Sequence, residues 1–268
     1  MSRNVIHQDD CLGILLNWQD EPFDNWQDET FDLVFADPPF NANKEYADGV
    51  NDNLPVAEYR EWLQERLEAI VGVMKDGASL WLMNDTRHIG ACQVMLDNLG
   101  LTFHNMVVWA YTNPTPAGNG NLAKTWRPIL YYTKGPKPAI FDSEADALGP
   151  ATLYHNPDRA KSHPVHDLWP DIPKLVGGFL APPELMRKED RTFAHLAQMP
   201  EAIARRILLL ATKAGDRVLD PFAGSGTFLA VAAKMGRIAT GIELSATYCD
   251  LIRKRLGLGY QRPLEVTP

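Results

Sequence analysis

The stretch Val218-Leu219-Asp220-Pro221-Phe222-Ala223-Gly224-Ser225-Gly226-Thr227 decides the fold class. A short apolar run enters a turn with two glycines, and helical periodicity begins at Thr227. Gly224 and Gly226 let the backbone approach a ligand closely, and the helix that follows presents unpaired N–H groups at its start. The next strand-like run, Ile238–Ile242, leads into Glu243, 23 residues after Asp220. A carboxylate there can accept hydrogen bonds from both hydroxyls of a ribose. A dinucleotide fingerprint would carry a third glycine where Leu229 stands, after Phe228. A generic strand–turn–helix also fits the stretch taken alone.

Outward from it, strands and helices alternate. Asn4–His7, Phe31–Ala36, Ser79–Met83, Met106–Tyr111, Ile129–Thr133 and Arg217–Asp220 read as short strands. Asp10–Trp18, Val56–Lys75, Thr86–Leu99, Pro200–Ala211, Thr227–Met235 and Thr247–Leu256 carry apolar residues at helical spacing. This alternation predicts an α/β fold with a doubly wound, mostly parallel sheet. Residues 141–194 have many Pro and His residues and weak periodicity, and read as a loop-rich insert. The chain is therefore expected to be one domain made of residues 1–140 and 195–268, interrupted by 141–194.

The second motif is Asp37-Pro38-Pro39-Phe40, directly after the strand-like Phe31–Ala36. Two prolines stiffen the backbone in an extended shape and remove two N–H donors. What remains is a rigid pair of acceptors, the Asp37 carboxylate and the Pro38 carbonyl, with the aromatic Phe40 two residues on. Such a pair beside a ring suits a planar amine, such as the amino group of a base. A plain diproline turn is the alternative.

Together the two motifs resemble the amino-group DNA methyltransferases that use S-adenosyl-L-methionine. The catalytic tetrapeptide of that family is (D/N/S)PP(Y/F/W), matched by Asp37, Pro38, Pro39 and Phe40. Its cofactor motif is centred on FxGxG, matched by Phe222–Gly226. The catalytic motif comes first in the chain, an order similar to the circularly permuted β group. Val107–Lys134 resembles the segment that follows the catalytic motif. His195–Pro200 resembles an H-P-x-Q-x-P stretch beside the methionine end of the cofactor, and Asp9-Asp10-Cys11 an N-terminal turn near its adenine. The resemblance implies a Rossmann-like methyltransferase fold. It also implies cofactor contacts from Asp10, Cys11, Asp37, His195, Gln198, Asp220, Phe222, Ala223, Gly224, Ser225, Gly226, Thr227, Glu243 and Leu244. This sequence departs from the pattern at Arg127-Pro128, where many relatives read H-E, at Leu196 in place of a proline, and at Asp9 in place of a glycine.

The implied reaction is methyl transfer to the N6 amine of adenine, with cytosine N4 as the alternative on the same fold. Asp and Phe in the tetrapeptide are commoner among the adenine enzymes. A non-catalytic cofactor-binding module and an RNA or protein amine methyltransferase are the readings from other classes. Cytosine-C5 chemistry needs a cysteine nucleophile, typically after proline, whereas Cys11, Cys92 and Cys249 follow Asp10, Ala91 and Tyr248.

The net charge is −8, but it is unevenly spread. Residues 1–97 hold 19 acidic and 6 basic side chains, whereas 98–141 hold four basic ones and no acid. The acid-free segment offers Asn113, Asn119, Lys124, Trp126 and Arg127 as the expected double-stranded DNA contacts. In the insert, which the resemblance makes the target-recognition region, His155, His163 and His166 lack a matched fourth ligand, so no metal is expected. No long apolar run or leader segment is seen, so no membrane contact and a cytoplasmic location are expected. The apolar Trp62–Met74 face suggests a homodimer, and the family setting a cognate restriction endonuclease.

Overall fold

The computed structural model describes residues 4–20, 30–49, 52–115, 118, 120–143, 165–175, 184, 186 and 198–258. Among these, eight strands form one sheet. They are β1 Val5–Gln8, β2 Phe31–Ala36, β3 Met74–Met83, β4 Thr102–Thr115, β5 Lys124–Thr133, β6 Leu168–Trp169, β7 Arg217–Asp220 and β8 Ile238–Glu243. The helices are α1 Cys11–Asp20, α2 Val56–Gly72, α3 Ile89–Asn98, α4 Glu201–Ala211, α5 Thr227–Lys234 and α6 Ala246–Leu256.

The sheet order is β1-β8-β7-β2-β3-β5-β4-β6, and β5 alone runs against the rest. The C-terminal strands β7 and β8 thus enter between β1 and β2. Residues at the two ends of the chain meet because parallel pairing, Leu33 with Val218 and Val34 with Leu219, joins β2 to β7.

Two apolar layers cover the sheet. Leu33 and Phe35 point to the side packed by Ile203, Ile207 and Phe228 from α4 and α5. Val34 and Ala36 point to the side packed by Leu15, Leu63, Leu67 and Ile70 from α1 and α2. Alternate side chains of one strand serving opposite layers is the signature of a sheet buried on both faces. Phe31 breaks the alternation, and the ladder between β2 and β3 shifts register between Phe31 and Leu33.

Several boundaries differ from the sequence expectation. β3 begins at Met74, well before Ser79, because Gly77 takes a positive φ of 78° and donates its N–H to the Lys134 carbonyl at 2.7 Å. β5 extends back to Lys124 through Pro128, a residue that suggested a strand end. The strands expected at Met106–Tyr111 and Ile129–Thr133 are therefore longer, and form the arms of a β4–β5 hairpin. Within 141–194 the described residues Leu168 and Trp169 pair with Val108 and Trp109 as the edge strand β6, and Arg206 of α4 stacks on Trp169 and pairs with Asp171. The apolar face of α2 that suggested a dimer packs into the chain's own core, where Leu63, Leu67 and Ile70 are buried, and Met74 already belongs to β3.

Candidate active site

Register places four motif ends on one edge of the sheet. Gln8 of β1 pairs with Glu243 of β8, Asp220 of β7 pairs with Gly241, and β2 lies next to β7. Asp10, Glu243, Asp220 and Asp37 therefore leave the carboxyl ends of four neighbouring parallel strands. That edge, where the strand order reverses, is where open α/β sheets hold ligands. A cavity of about 420 Å³ opens there.

The floor is the glycine turn. Asp220, Phe222, Ala223, Gly224, Ser225 and Thr227 line the cavity. Gly224 and Gly226 both take positive φ, 51° and 72°. Gly226 lies behind the wall, where a Cβ would come within 2.7 Å of Ile252 Cγ1. Glu243 holds the turn, accepting from the Gly224 N–H through Oε2 at 2.7 Å and from the Ser245 N–H through Oε1 at 2.8 Å. Burial pushes the Glu243 carboxyl up, and pushes Asp220 well up, with the nearby Asp37 and Glu243 charges adding to the Asp220 shift.

One end of the cavity is aromatic. Trp62 lies 6.0 Å from Phe222, and the Arg66 guanidinium sits 4.2 Å over the Trp62 ring. Arg66 also donates to Asp10 Oδ2 at 2.6 Å. Asp10 Oδ1 accepts from the Leu12 N–H at 2.8 Å, so Asp10 caps α1 as well as facing the cavity. Cys11 and Leu244 complete this end, and burial raises the Cys11 thiol to about 12.

At the other end stand Asp37, Pro38, Pro39 and Phe40. Asp37 Oδ1 is buried with no hydrogen-bond partner. Desolvation raises the Asp37 carboxyl to about 6, opposed by the cations of Arg127 and Lys44. The Arg127 guanidinium lies 4.6 Å over the Phe40 ring and 6.0 Å from the Trp109 ring. One face of Phe40 is thus covered by a cation, which the sequence did not suggest.

The segment after the motif folds over the cavity. Asn41 exchanges two 2.7 Å hydrogen bonds with the Leu54 backbone. The Lys44 N–H donates to Asp52, and Asp48 accepts from Ser245 Oγ and Thr247 Oγ1 at the start of α6. Lys44, Tyr46 and Asp52 consequently line the cavity, as do Tyr59, Trp62 and Arg66 of α2. Sequence reasoning assigned none of these to the site. The run Lys44–Asp52, close after the tetrapeptide, was the available signal, whereas the inward face of α2 gave none.

Other expected residues lie elsewhere. Gln198 is turned away from the cavity: its amide bridges the Glu184 carbonyl and the Met186 N–H. Lys124 pairs with both Asp85 oxygens at 2.7 Å, so its charge is already met. Asn113 and Trp126 stand on the β4–β5 hairpin outside the cavity, and Trp126 is partly exposed. His195, Asn119, His155 and His163 lie outside the described residues. Among the described residues, no helix is long and apolar enough to cross a membrane.

The donor set fits a cationic nucleoside. Asp37, Asp220 and Glu243 bring carboxylates to a cavity whose glycine turn admits a ligand closely and whose far end is aromatic.

Comparison with known proteins agrees with this geometry. The N6/N4 DNA methylase family model matches residues 31–254. The Type II methyltransferase M.BamHI of Bacillus amyloliquefaciens is 31% identical over 261 residues, covering 94% of this chain and 56% of that protein. DNA adenine methyltransferase YhdJ of Escherichia coli K12 is 31% identical over 227 residues, covering 84% of this chain and 76% of that one. The crystal structure of the M1.HpyAVI–SAM complex superposes with a TM-score of 0.67 at 19% identity, covering 95% of this chain and 99% of that one. The chain spans little more than half the length of the Bacillus relative.

Proposed function

The chain belongs to the N6/N4 DNA methylase family, and we propose that it transfers a methyl group from S-adenosyl-L-methionine to the exocyclic N6 amine of adenine in duplex DNA. The observation that carries this reading is Asp37: a buried carboxylate with an unpartnered oxygen, beside two prolines, at the end of a cavity floored by a glycine turn.

In this reading Glu243 and the Gly224 turn hold the ribose, while Trp62 and Phe222 flank the nucleobase. When bound, the donor supplies a methyl already activated on a sulfonium sulfur. The chain's own task is to place a nucleophile in line with it. An exocyclic amine is a poor nucleophile because its lone pair is delocalised into the ring. Asp37 and the Pro38 carbonyl accept the two amine hydrogens and favour a pyramidal nitrogen. Positive charge builds on that nitrogen in the transition state, where an ionised Asp37 helps most.

The target base must leave the duplex to reach Asp37, at a cost of a few kcal/mol. Stacking against Phe40 offsets part of it, with Arg127 shifting off the ring or backing it from the far side. Adenine is favoured by Asp and Phe in the tetrapeptide and by the name of the Escherichia coli relative. The relatives named Type II methyltransferases support a restriction–modification setting with a cognate endonuclease. Nucleoside analysis of DNA incubated with labelled donor tests the proposal.

A further inference from the structure

The tetrapeptide Asp37–Phe40 has an unusual mechanical problem. Proline has no N–H, so the only hydrogen-bonding groups on Pro38 and Pro39 are their carbonyls. If the Pro38 carbonyl works on the substrate, the Pro39 carbonyl is the one polar handle left for holding the pair in place.

That handle is gripped from behind. The Tyr59 hydroxyl, projecting from α2, donates to the Pro39 carbonyl at 2.8 Å. Asn84 donates to the same hydroxyl oxygen through Nδ2 at 3.1 Å. A phenol has one proton, and with its oxygen engaged by Asn84 that proton is directed at Pro39. Asn84 is itself locked: its Oδ1 accepts from the Asp85 N–H at 2.7 Å, and its N–H donates to the Pro128 carbonyl at 3.4 Å. Tyr59 is 2% exposed and Asn84 is fully buried. The next two carbonyls, Phe40 and Asn41, each accept from Arg87 Nη2 at 3.5 Å. Three successive carbonyls after Pro38 are therefore held by side chains from α2 and from the segment that follows β3. β3 is the strand beside β2, so the motif is anchored to its neighbour in the sheet.

We infer that Tyr59, oriented by Asn84, is a positioning residue for methyl transfer, fixing the Pro39 carbonyl and so aiming the Asp37–Pro38 acceptor pair at the amine. This inference rests on the proposed function. The Tyr59 ring lies in the cavity wall, but its hydroxyl is taken up by Pro39 and Asn84, so the hydroxyl acts through the motif backbone. Burial pushes its hydroxyl well above the usual phenol range, so it keeps its proton wherever the enzyme works.

The test is Tyr59→Phe, which removes one oxygen and leaves the ring in the core. Arg87→Ala, at a side chain 52% exposed, is the second variant and carries little risk to folding. For each, single-turnover kcat, KM for DNA, calorimetric cofactor affinity, melting temperature and the Pro39 carbonyl ¹³C resonance are measured. Tyr59→Phe is expected to lower kcat roughly tenfold or more, since small misplacements of reacting groups are costly. KM and cofactor affinity stay near wild type, the melting temperature falls by a few degrees because Asn84 Nδ2 and the Pro39 carbonyl lose a buried partner, and the Pro39 resonance moves upfield. Arg87→Ala lowers kcat in the same sense by less. Wild-type kcat in Tyr59→Phe, whatever Arg87→Ala does, or a loss of kcat accounted for by lost cofactor affinity or by unfolded enzyme at the assay temperature, would overturn the positioning role. A wild-type enzyme that moves no label into DNA would overturn the methyl-transfer reading instead, and the positioning role with it.

Discussion

Glu243 Oε2 accepts the Gly224 N–H at 2.7 Å, so the carboxylate at the end of β8 buckles the glycine turn that leaves β7. One residue thus shapes the turn and faces the cavity. Glu243→Ala should raise the cofactor dissociation constant roughly tenfold or more, given about 1.5–3 kcal/mol for hydrogen bonds to a charged group. Titration calorimetry checks it, and unchanged affinity would remove the ribose role.

Asp37 predicts a pH dependence with a definite sign. Its carboxyl is raised to about 6 by burial, with Arg127 and Lys44 opposing the shift and Asp220 nearby. Only the ionised form accepts both an amine hydrogen and the developing charge, so kcat should fall as pH drops through about 6. Stability moves the other way: between the ordinary carboxylate value and 6 the folded state binds more protons than the unfolded chain, so this group disfavours folding as pH rises through that window. Asp37→Ala should abolish turnover, cost cofactor affinity less than Glu243→Ala does, and remove this group's share of that stability trend. Near-wild-type methylation by Asp37→Ala would remove the catalytic assignment.

Much of the site is local in sequence, which is why it was legible there. Asp37–Phe40 and Asp220–Thr227 each carry their chemistry within a few residues, and strand–helix alternation places both at strand ends. What was hidden is tertiary. Tyr59, Trp62 and Arg66 read as one amphipathic helix, and only packing against the sheet turns that face towards the motif. Lys124 read as a phosphate ligand because its partner Asp85 is 39 residues away. The strand expected at Ile129–Thr133 reaches back to Lys124 because β4 pairs with it past β3, with Val108 opposite Pro128.

DNA affinity should be strongly salt-dependent despite the acidic total. Removing a phosphate contact lowers the log–log salt slope by about one. Arg127→Ala should show that change. Lys124→Ala should not, because its ammonium is committed to Asp85. Equal slopes for Arg127→Ala and wild type, in fluorescence anisotropy with a short duplex, would place Arg127 off the phosphates.

Gly226 is fixed by space as well as by conformation. At φ 72° an added Cβ is strained, and it would meet Ile252 Cγ1 at 2.7 Å. Gly226→Ala should cost about 2 kcal/mol or more, combining left-handed strain with overpacking. That corresponds to a melting temperature lower by roughly 4–8 °C. Calorimetry showing no shift would mean that α6 can move away from the turn.

The most direct measurement is mass-spectrometric nucleoside analysis of duplex DNA incubated with the enzyme and methyl-labelled S-adenosyl-L-methionine. Labelled N6-methyldeoxyadenosine from the wild type, and none from Asp37→Ala, is the result this account predicts. Label in N4-methyldeoxycytidine would contradict the adenine assignment, and DNA free of label would contradict the proposed activity itself.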